Sequence, residues 1–556
     1  MGATNLTKGS SKAQRRKRGG SLRRYLPLAL ILAAGALAYF LPSALQVPVA
    51  QPPGQAEFAP PIPQSAESTS GDLEFGSGQT DATARVALTK PDPNRPAYKR
   101  CVGKPARQTE DPLSPPCVQI YQGNNGGATT RGVTRDEIVA VLHFEARSGE
   151  SEKYFVDCTE ALVPNDTPAD VTCKSYARFF NNRYQTYNRL VRMYAYHGQT
   201  TGSNSEAQLT QIETQKEPFA LALAPLTGGG AYAIGGGKRK IMTVGYEGLR
   251  RSNYAEYAPY IYGFMPDLED EASLAAGFIC RKLASRPARL HGDPKTRGQT
   301  RVFGFLADGE QVFTRDLIRS KVKAQCKLEV EHQVQTTNMT NALSTLRSNG
   351  VTTIIALAAQ GHYVSATQGA NDMGWLPEWF VPGSRAPQGP DTSVSARHYN
   401  QAAWGHAFGI TFDYRRNEMS QQQWFQAFRE GCPDCPVETV AQNAPYLYDA
   451  LKMMFYGIQA AGPKLTPANI DNTLHAVRAY ASIDPFGPAG YLTAGNYSFV
   501  KDATAAWWDP QGQAAGEGAS GCYRLGRDGS RFRSGEWPAG DDDLQKPDAP
   551  CQVSPK

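Results

Sequence analysis

The sequence predicts an α/β protein of two lobes, carried behind an uncharged N-terminal span and a spacer. Three observations predict it. Apolar runs of strand length alternate with helical stretches from Ile138 onward, as in parallel sheets covered on both faces. The alternation comes in two series, one closing near Leu283 and one opening at Arg301, which implies two sheets with a cleft between them. Hydrophobic residues make up 40% and charged residues 20% of the 556, enough for large cores.

The chain opens on a basic tail, residues 1–24, with Lys8, Lys12, Arg15, Arg16, Lys17, Arg18, Arg23 and Arg24 and no acid. These eight outweigh the net charge of +6, so the remainder is slightly acidic. A nucleic-acid-binding domain needs its basic face on the folded part, and that function class is set aside. Tyr25 to Leu41 is uncharged. At 1.5 Å per residue it reaches ~26 Å against a hydrocarbon core of ~30 Å, and flanking residues complete an anchor over 25–45. Positive charge before the span keeps the tail cytoplasmic and the rest outside. The rival reading is a cleaved signal peptide, with Ala36-Leu37-Ala38 as the small-residue site, in which case the protein is secreted rather than single-pass. Residues 46–98, rich in Pro, Ser, Gly, Gln and Ala, read as a disordered spacer. The folded domain spans 99–535, and 536–556, with Asp541, Asp542 and Asp543, reads as an acidic C-terminal tail.

Within the domain, Ile138–Glu145 is a strand, a helix lies within Ala169–Tyr187, Leu190–Tyr196 is a strand and Ser205–Thr214 a helix. Phe219–Leu226 is a buried strand that ends in Thr227, Gly228, Gly229 and Gly230. A glycine-rich turn there admits close backbone approach to a ligand, and ligands bind at the carboxyl ends of strands in open α/β sheets. The plainer reading is a glycine turn between strand and helix. Lys240–Tyr246 and Pro259–Phe264 are strands, and Asp267–Leu283 a helix. The second series has strands at Arg301–Asp308, Leu328–Thr336, Thr352–Ala359 and Trp379–Pro382. Its helices are Phe313–Lys323, Asn338–Ser348 and His362–Met373. Later helices are expected over Glu438–Ala461 and Pro467–Tyr480, and a closing β-hairpin over Tyr491–Trp508.

Ten cysteines in an exported chain indicate disulfides. They fall into the sequential pairs Cys101–Cys117, Cys158–Cys173, Cys280–Cys326, Cys432–Cys435 and Cys522–Cys551, although spacing alone does not fix connectivity. Cys432-Pro-Asp-Cys435 has no second pair at metal-ligand spacing, and a redox role for it is a further reading. No cofactor is expected. The stretch from Gly228 to Lys240 fails as a phosphate loop, because Tyr232 stands where its first glycine belongs and Arg239 where Ser or Thr belongs. Gly516–Gly521 fits G-x-G-x-x-G by letter but follows a polar stretch. There is no G-x-S-x-G and no H-E-x-x-H, and the chain reads as a non-enzyme.

Residues 132–144, GVTRDEIVAVLHF, resemble the opening of the type I periplasmic solute-binding proteins, the branched-chain amino-acid and amide-binding family of ABC transporters. FALALAPLTGGG, KIMTVGY, YGFMPDLEDEASLAAGFI, RVFGFLADGEQVFTRDL and TTIIALAAQGHYVSATQGANDMGW match in order, over about residues 130–510. The resemblance implies two lobes that close on a small polar solute, and an ABC permease as partner. Carried over by position, the first-lobe contacts are Glu145, Thr227, Gly228 and Tyr246, and the second-lobe contacts are Asp308, Gln311, Gln360 and Ser384. Backbone N–H groups and a hydroxyl suit a carboxylate; an acid or an aromatic face suits an ammonium. The chain departs from the family in its three glycines after the pivot strand, where more hydroxyls are usual. It departs again at residues 146–175, an insertion near the cleft mouth, and in the set Tyr254, Tyr257, Tyr260 and Tyr262, which suits packing or stacking on a ligand. Two other readings stand beside solute binding: a membrane-anchored sensor or interaction domain that has lost its solute, and an exported enzyme. A polar cleft favours the first reading and a filled one the interaction domain.

Overall fold

The computed structural model describes residues 101–102, 106–111, 113–145, 154–198, 204–223, 229–245, 248–383, 392–416, 418–476, 487–488, 490–546 and 550–552. Residues 1–100, with the expected membrane span and spacer, lie outside the described residues. Among the described residues no helix is long and apolar enough to cross a membrane.

The first lobe is built on a sheet ordered β2-β3-β1-β4-β5-β6. Its strands are β1 (Glu137–Glu145), β2 (Tyr154–Asp157), β3 (Leu190–Gly198), β4 (Ala220–Leu223), β5 (Met242–Gly245) and β6 (Ile261–Gly263). All neighbours pair in parallel except β2 with β3. β4 and β5, reading ALAL and MTVG, are buried at every residue, which is why they carry no polar alternation. The second lobe has the order β13-β12-β11-β10-β9-β7-β8. Here β7 is Phe303–Ala307, β8 His332–Gln335, β9 Thr353–Leu357, β10 Glu378–Pro382, β11 Ala407–Thr411, β12 Thr504–Asp509 and β13 Cys522–Leu525. Its pairs are parallel except β11 with β12 and β12 with β13, so β12 alone runs against the rest.

The helices of the first lobe are α1 (Pro168–Arg183), α2 (Ser205–Lys216), α3 (Gly229–Lys238) and α4 (Arg251–Glu256); those of the second are α5 (Leu268–Phe278), α6 (Val312–Cys326), α7 (Met339–Ser348) and α8 (Gln360–Asp372). The chain then returns to the first lobe with α9 (Gln423–Gly431), α10 (Ala444–Ala461) and α11 (Pro467–Ala476). α9 packs on α1, and α10 covers β4 and β5. Local signals fix the helix starts. Thr167 and Asp170 form a capping box with Pro168 at the first position of α1, and the Asp267 side chain accepts the Asp270 N–H to cap α5.

Three segments therefore cross between the lobes, after β6, after β11 and before β12. The first and third run side by side. Tyr497 O accepts the Gly263 N–H at 2.9 Å, Gly263 O accepts the Phe499 N–H at 2.9 Å, and Phe264 O accepts the Val500 N–H at 3.0 Å. The hinge is thus a short parallel ribbon.

Several expectations are corrected. The glycine-rich stretch after the pivot strand is helical from Gly229 to Lys238. Glycine costs about 1 kcal/mol relative to alanine in a helix, so packing decides the outcome. A Cβ on Gly235 would lie 2.3 Å from Leu209 Cδ1, on Gly236 2.2 Å from Thr243 Oγ1 and on Gly237 2.7 Å from Ile261. The missing side chains let α3 lie directly on α2, β5 and β6. The closing hairpin is β12 with β13, reaching Leu525, while Gly490–Val500 makes a small turn of its own bridged at its ends. The stretch from Glu536 is no free tail among the described residues. Trp537 is fully buried, and Asp541 accepts from Arg301 at 2.9 Å beside the Arg301–Glu378 pair. The acids that read as solvated thus complete a buried guanidinium site. Of the insertion at 146–175, Tyr154–Asp157 adds an edge strand and the rest from Pro168 is α1; residues 146–153 lie outside the described set. Tyr254 and Tyr262 are buried, in packing roles.

The cysteines are joined as the five sequential pairs. The lead-in closed by Cys101–Cys117 packs against the first lobe and the hinge. The Gln108 side-chain amide donates to Arg183 O and to Gln459 Oε1, and Asp111 is 1% exposed.

Candidate functional site

In both lobes the parallel strands end on the side where the chain crosses over. On that side Glu145 ends β1, Asp308 follows β7, Ala358 and Ala359 follow β9, and Gly383 follows β10. Of the expected contacts, Thr227, Gly228, Tyr246 and Ser384 lie outside the described residues. Glu145 is exposed. Gln360 begins α8.

The second lobe holds a small hollow, with room for about one water, at the ends of β9 and β10. Gln311, Glu271 and Tyr363 are its polar wall, with Leu357, Ala358 and Val381 among the apolar part. The Tyr363 hydroxyl donates to Ala356 O at 3.1 Å. Glu271 lies in the first turn of α5 and is 4% exposed. Gly383 makes room for it: φ is +99°, and a Cβ there would stand 2.7 Å from Glu271 Oε1.

Asp308 has partners on three loops of its own lobe. Its carboxylate accepts the Ala359 N–H at 2.6 Å, the Thr336 hydroxyl at 2.5 Å and a ring contact from His362 Nδ1 at 2.7 Å. It clasps the loops after β7, β8 and β9.

The lobes also touch. The Arg250 guanidinium, from the loop after β5, sits 4.0 Å from the ring centroid of Phe313 at the start of α6, within cation–π range. Behind this contact lies a charged hinge. Arg251 donates to Asp267 at 2.8 Å and to Asp270 at 2.6 Å, and these contacts, Asp267 first, push its pKa up despite burial. Lys501 on the third crossing donates to Asp270 at 2.7 Å. Burial alone would raise the Asp270 pKa; Lys501, Asn496 and Arg251 outweigh it, and the net direction is down.

Deeper in the hinge, Lys452 on α10 is enclosed. Its Nζ donates to Tyr414 OH at 2.7 Å, Asp111 Oδ2 at 2.9 Å and Asp449 Oδ1 at 3.0 Å. Tyr414 belongs to the second crossing and Asp111 to the lead-in, so one ammonium joins the lead-in, a crossing segment and α10. Among the described residues no group of His, Cys, Asp and Glu side chains is placed to hold a metal.

Reading the sequence missed Glu271 and Arg250. For Glu271 a signal was present: it stands three residues before Leu274 and seven before Phe278, on the apolar face of its helix, where an acid is rarely placed without a task.

A family model described as periplasmic binding protein matches residues 256–513, so the resemblance is shown over that stretch. No curated protein matches the chain at a significant level. Similar solved structures include a solute-binding protein of an ABC transporter from R. palustris in complex with 4-hydroxybenzoate. It is 12% identical over 74% of this chain and 100% of that one, at a TM-score of 0.49. A leucine-binding protein from Thermotoga maritima is 11% identical over 67% of this chain and 95% of that one, at 0.45. An ABC transporter substrate-binding protein from Desulfitobacterium hafniense in complex with Leu is 10% identical over 72% and 100%, at 0.43.

Proposed function

With residues 256–513 carrying the periplasmic binding protein pattern, we propose that the chain is an extracytoplasmic solute-binding protein. It captures a small polar solute, amino-acid- or amide-like, between its lobes and delivers it to an ABC transporter. The observation that carries this reading is the pair of largely parallel sheets joined by three crossings, with the strand ends of both on the crossing side. The Arg250–Phe313 contact supports it by bringing the first lobe to that side. Five disulfides suit an oxidising compartment outside the cytoplasm, and the span at 25–45 anchors the domain to the membrane. Glu145, Thr227, Gly228 and Tyr246 face the solute from the first lobe, and Gln311, Gln360 and Ser384 from the second, with Asp308 as the clasp that positions its side.

A thermal-shift screen of amino acids, amides and small aromatic acids tests the reading, since a ligand of the folded state raises its stability. With a hit in hand, Gly228→Leu should abolish binding without unfolding the domain. Tyr246→Ala should weaken it by about 1–3 kcal/mol, roughly ten- to a hundredfold. A hit whose affinity neither substitution changes refutes the assignment of the cleft. A broad screen without a hit refutes solute capture.

A further inference from the structure

The lead-in meets all three crossings at once. Its own bonds make it a compact unit. Cys101 and Cys117 are joined, the Gln108 N–H donates to Pro115 O at 3.1 Å and the Cys117 N–H to Ala106 O at 3.0 Å, and the Arg107 guanidinium donates to Ser114 O at 2.6 Å. On one side it is fixed to the first lobe. The Gln108 side-chain amide donates to Gln459 Oε1 at 2.9 Å, and Arg183, the last residue of α1, donates to Gln108 O at 3.2 Å.

On its other side it grips the hinge through Asp111 and Leu113. One oxygen of the Asp111 carboxylate accepts the Leu113 N–H at 2.8 Å; the other accepts the Tyr448 hydroxyl at 3.0 Å and the Lys452 ammonium at 2.9 Å. Lys452 in turn donates to Tyr414 OH on the second crossing at 2.7 Å. Leu113, held by that turn and 4% exposed, enters an apolar hollow. Its other walls are Phe264 of the first crossing, Phe499 of the third, and Lys452, Met453 and Tyr456 of α10. The Phe264 and Phe499 rings stack there with centroids 5.7 Å apart. The hollow has room for about two waters, so Leu113 meets the crossings without filling the space between them.

When one lobe rotates against the other, the crossings turn. Phe264 and Phe499 then slide over Leu113, and Tyr414 moves against Lys452, while Leu113 and Lys452 stay with the first lobe. Close-packed side chains resist such sliding, and the hollow leaves slack for a small displacement. We propose that the lead-in is a hinge brace: it limits the angle through which the lobes move, so that the ease of closing on a solute is set outside the cleft. That consequence rests on the solute-binding reading; the brace itself is tested without a solute.

Hydrogen exchange on the full chain reads it directly. In wild type, urea below the unfolding transition should open the lead-in amides of Gln108, Leu113 and Cys117 together with the ribbon amides of Gly263, Phe499 and Val500, as one cooperative unit. A lead-in that opens while the ribbon stays protected overturns the brace, and this measurement decides even if no variant folds. Leu113→Ala should speed exchange of the ribbon amides by about tenfold more than that of the β4 and β5 amides, and small-angle scattering should show a broader spread of lobe separations. Cys101→Ser with Cys117→Ser, which frees the lead-in without touching the hollow, should act in the same direction. A ribbon gain no greater than that of β4 and β5 in both variants is what a loss of overall stability alone produces, and it overturns the proposal. A scattering profile equal to wild type in both variants overturns it too. The two readings fail separately: a solute screen without a hit leaves the brace standing, and a ribbon indifferent to the lead-in leaves solute capture standing.

Discussion

Lys452→Met cuts the hinge at its most enclosed point. The substitution keeps the length of the side chain and fills the aliphatic space, but removes an ammonium with three oxygen partners within 3.0 Å. Asp111 is 1% exposed and Asp449 7%, so solvent does not replace the lost partner. Breaking a buried ion pair from one side costs about 3–5 kcal/mol. Urea unfolding at pH 7, with the slope held constant, measures the loss. Adding Asp111→Leu to Lys452→Met should recover part of the loss, because the pair is then removed from both sides. A loss below about 1 kcal/mol at pH 7, or no recovery in the double variant, refutes the description of this cluster.

Burial raises the Asp449 pKa to about 7 from 3.8, against the pull of Lys452. The folded state therefore holds a proton that the unfolded chain releases, and this group's contribution to stability falls as pH rises from about 4 to 7; Asp449→Asn should gain on wild type at pH 8 relative to pH 5 in chemical unfolding. Arg250→Ala removes the contact with Phe313, worth about 0.5–1 kcal/mol, so small-angle scattering should show the closed population reduced by roughly two- to fivefold in its equilibrium constant, with the melting temperature nearly unchanged. Gly277→Ala sets two effects against each other. Alanine gains about 1 kcal/mol of helix propensity, but its Cβ would stand 2.0 Å from Ser534 O, and overpacking costs about 1–3 kcal/mol. Net destabilisation, with faster proteolysis after Arg531, is expected; a more stable variant would contradict the packing of that segment on α5.

The fold was legible because its strands are buried on both faces. Runs such as TIIAL in β9 and ALAL in β4 read as parallel strands without ambiguity, and the helices between them follow from length and cap residues. Where tertiary contact overrides local propensity, the sequence misled. Gly235, Gly236 and Gly237 argue for a turn, yet their lack of side chains is what lets α3 dock. Asp541 and Asp543 argue for a solvated tail, yet each meets a cation more than two hundred residues earlier in the chain, Arg301 and Lys282, which no local pattern reveals. The candidate site was legible by position alone. Position after a strand located Asp308 and Gln311 near the cavity, but it did not tell the clasp from the lining. Glu271 follows no strand and enters the cavity from a helix across the lobe.

The return of α9, α10 and α11 to the first lobe also orders events in time. The sheet from β1 to β6 is synthesised by residue 263, but Leu447, Leu451, Met454 and Phe455 of α10, which belong to that lobe's core, come after the whole of β7 to β11. At about 5–20 residues per second, the first sheet waits roughly 10–40 s with one apolar face uncovered. A ribosome-bound or proteolytic fragment ending near the first crossing is therefore not a small lobe but a sticky half-sandwich. The first lobe therefore completes its core only after most of the second lobe has been made.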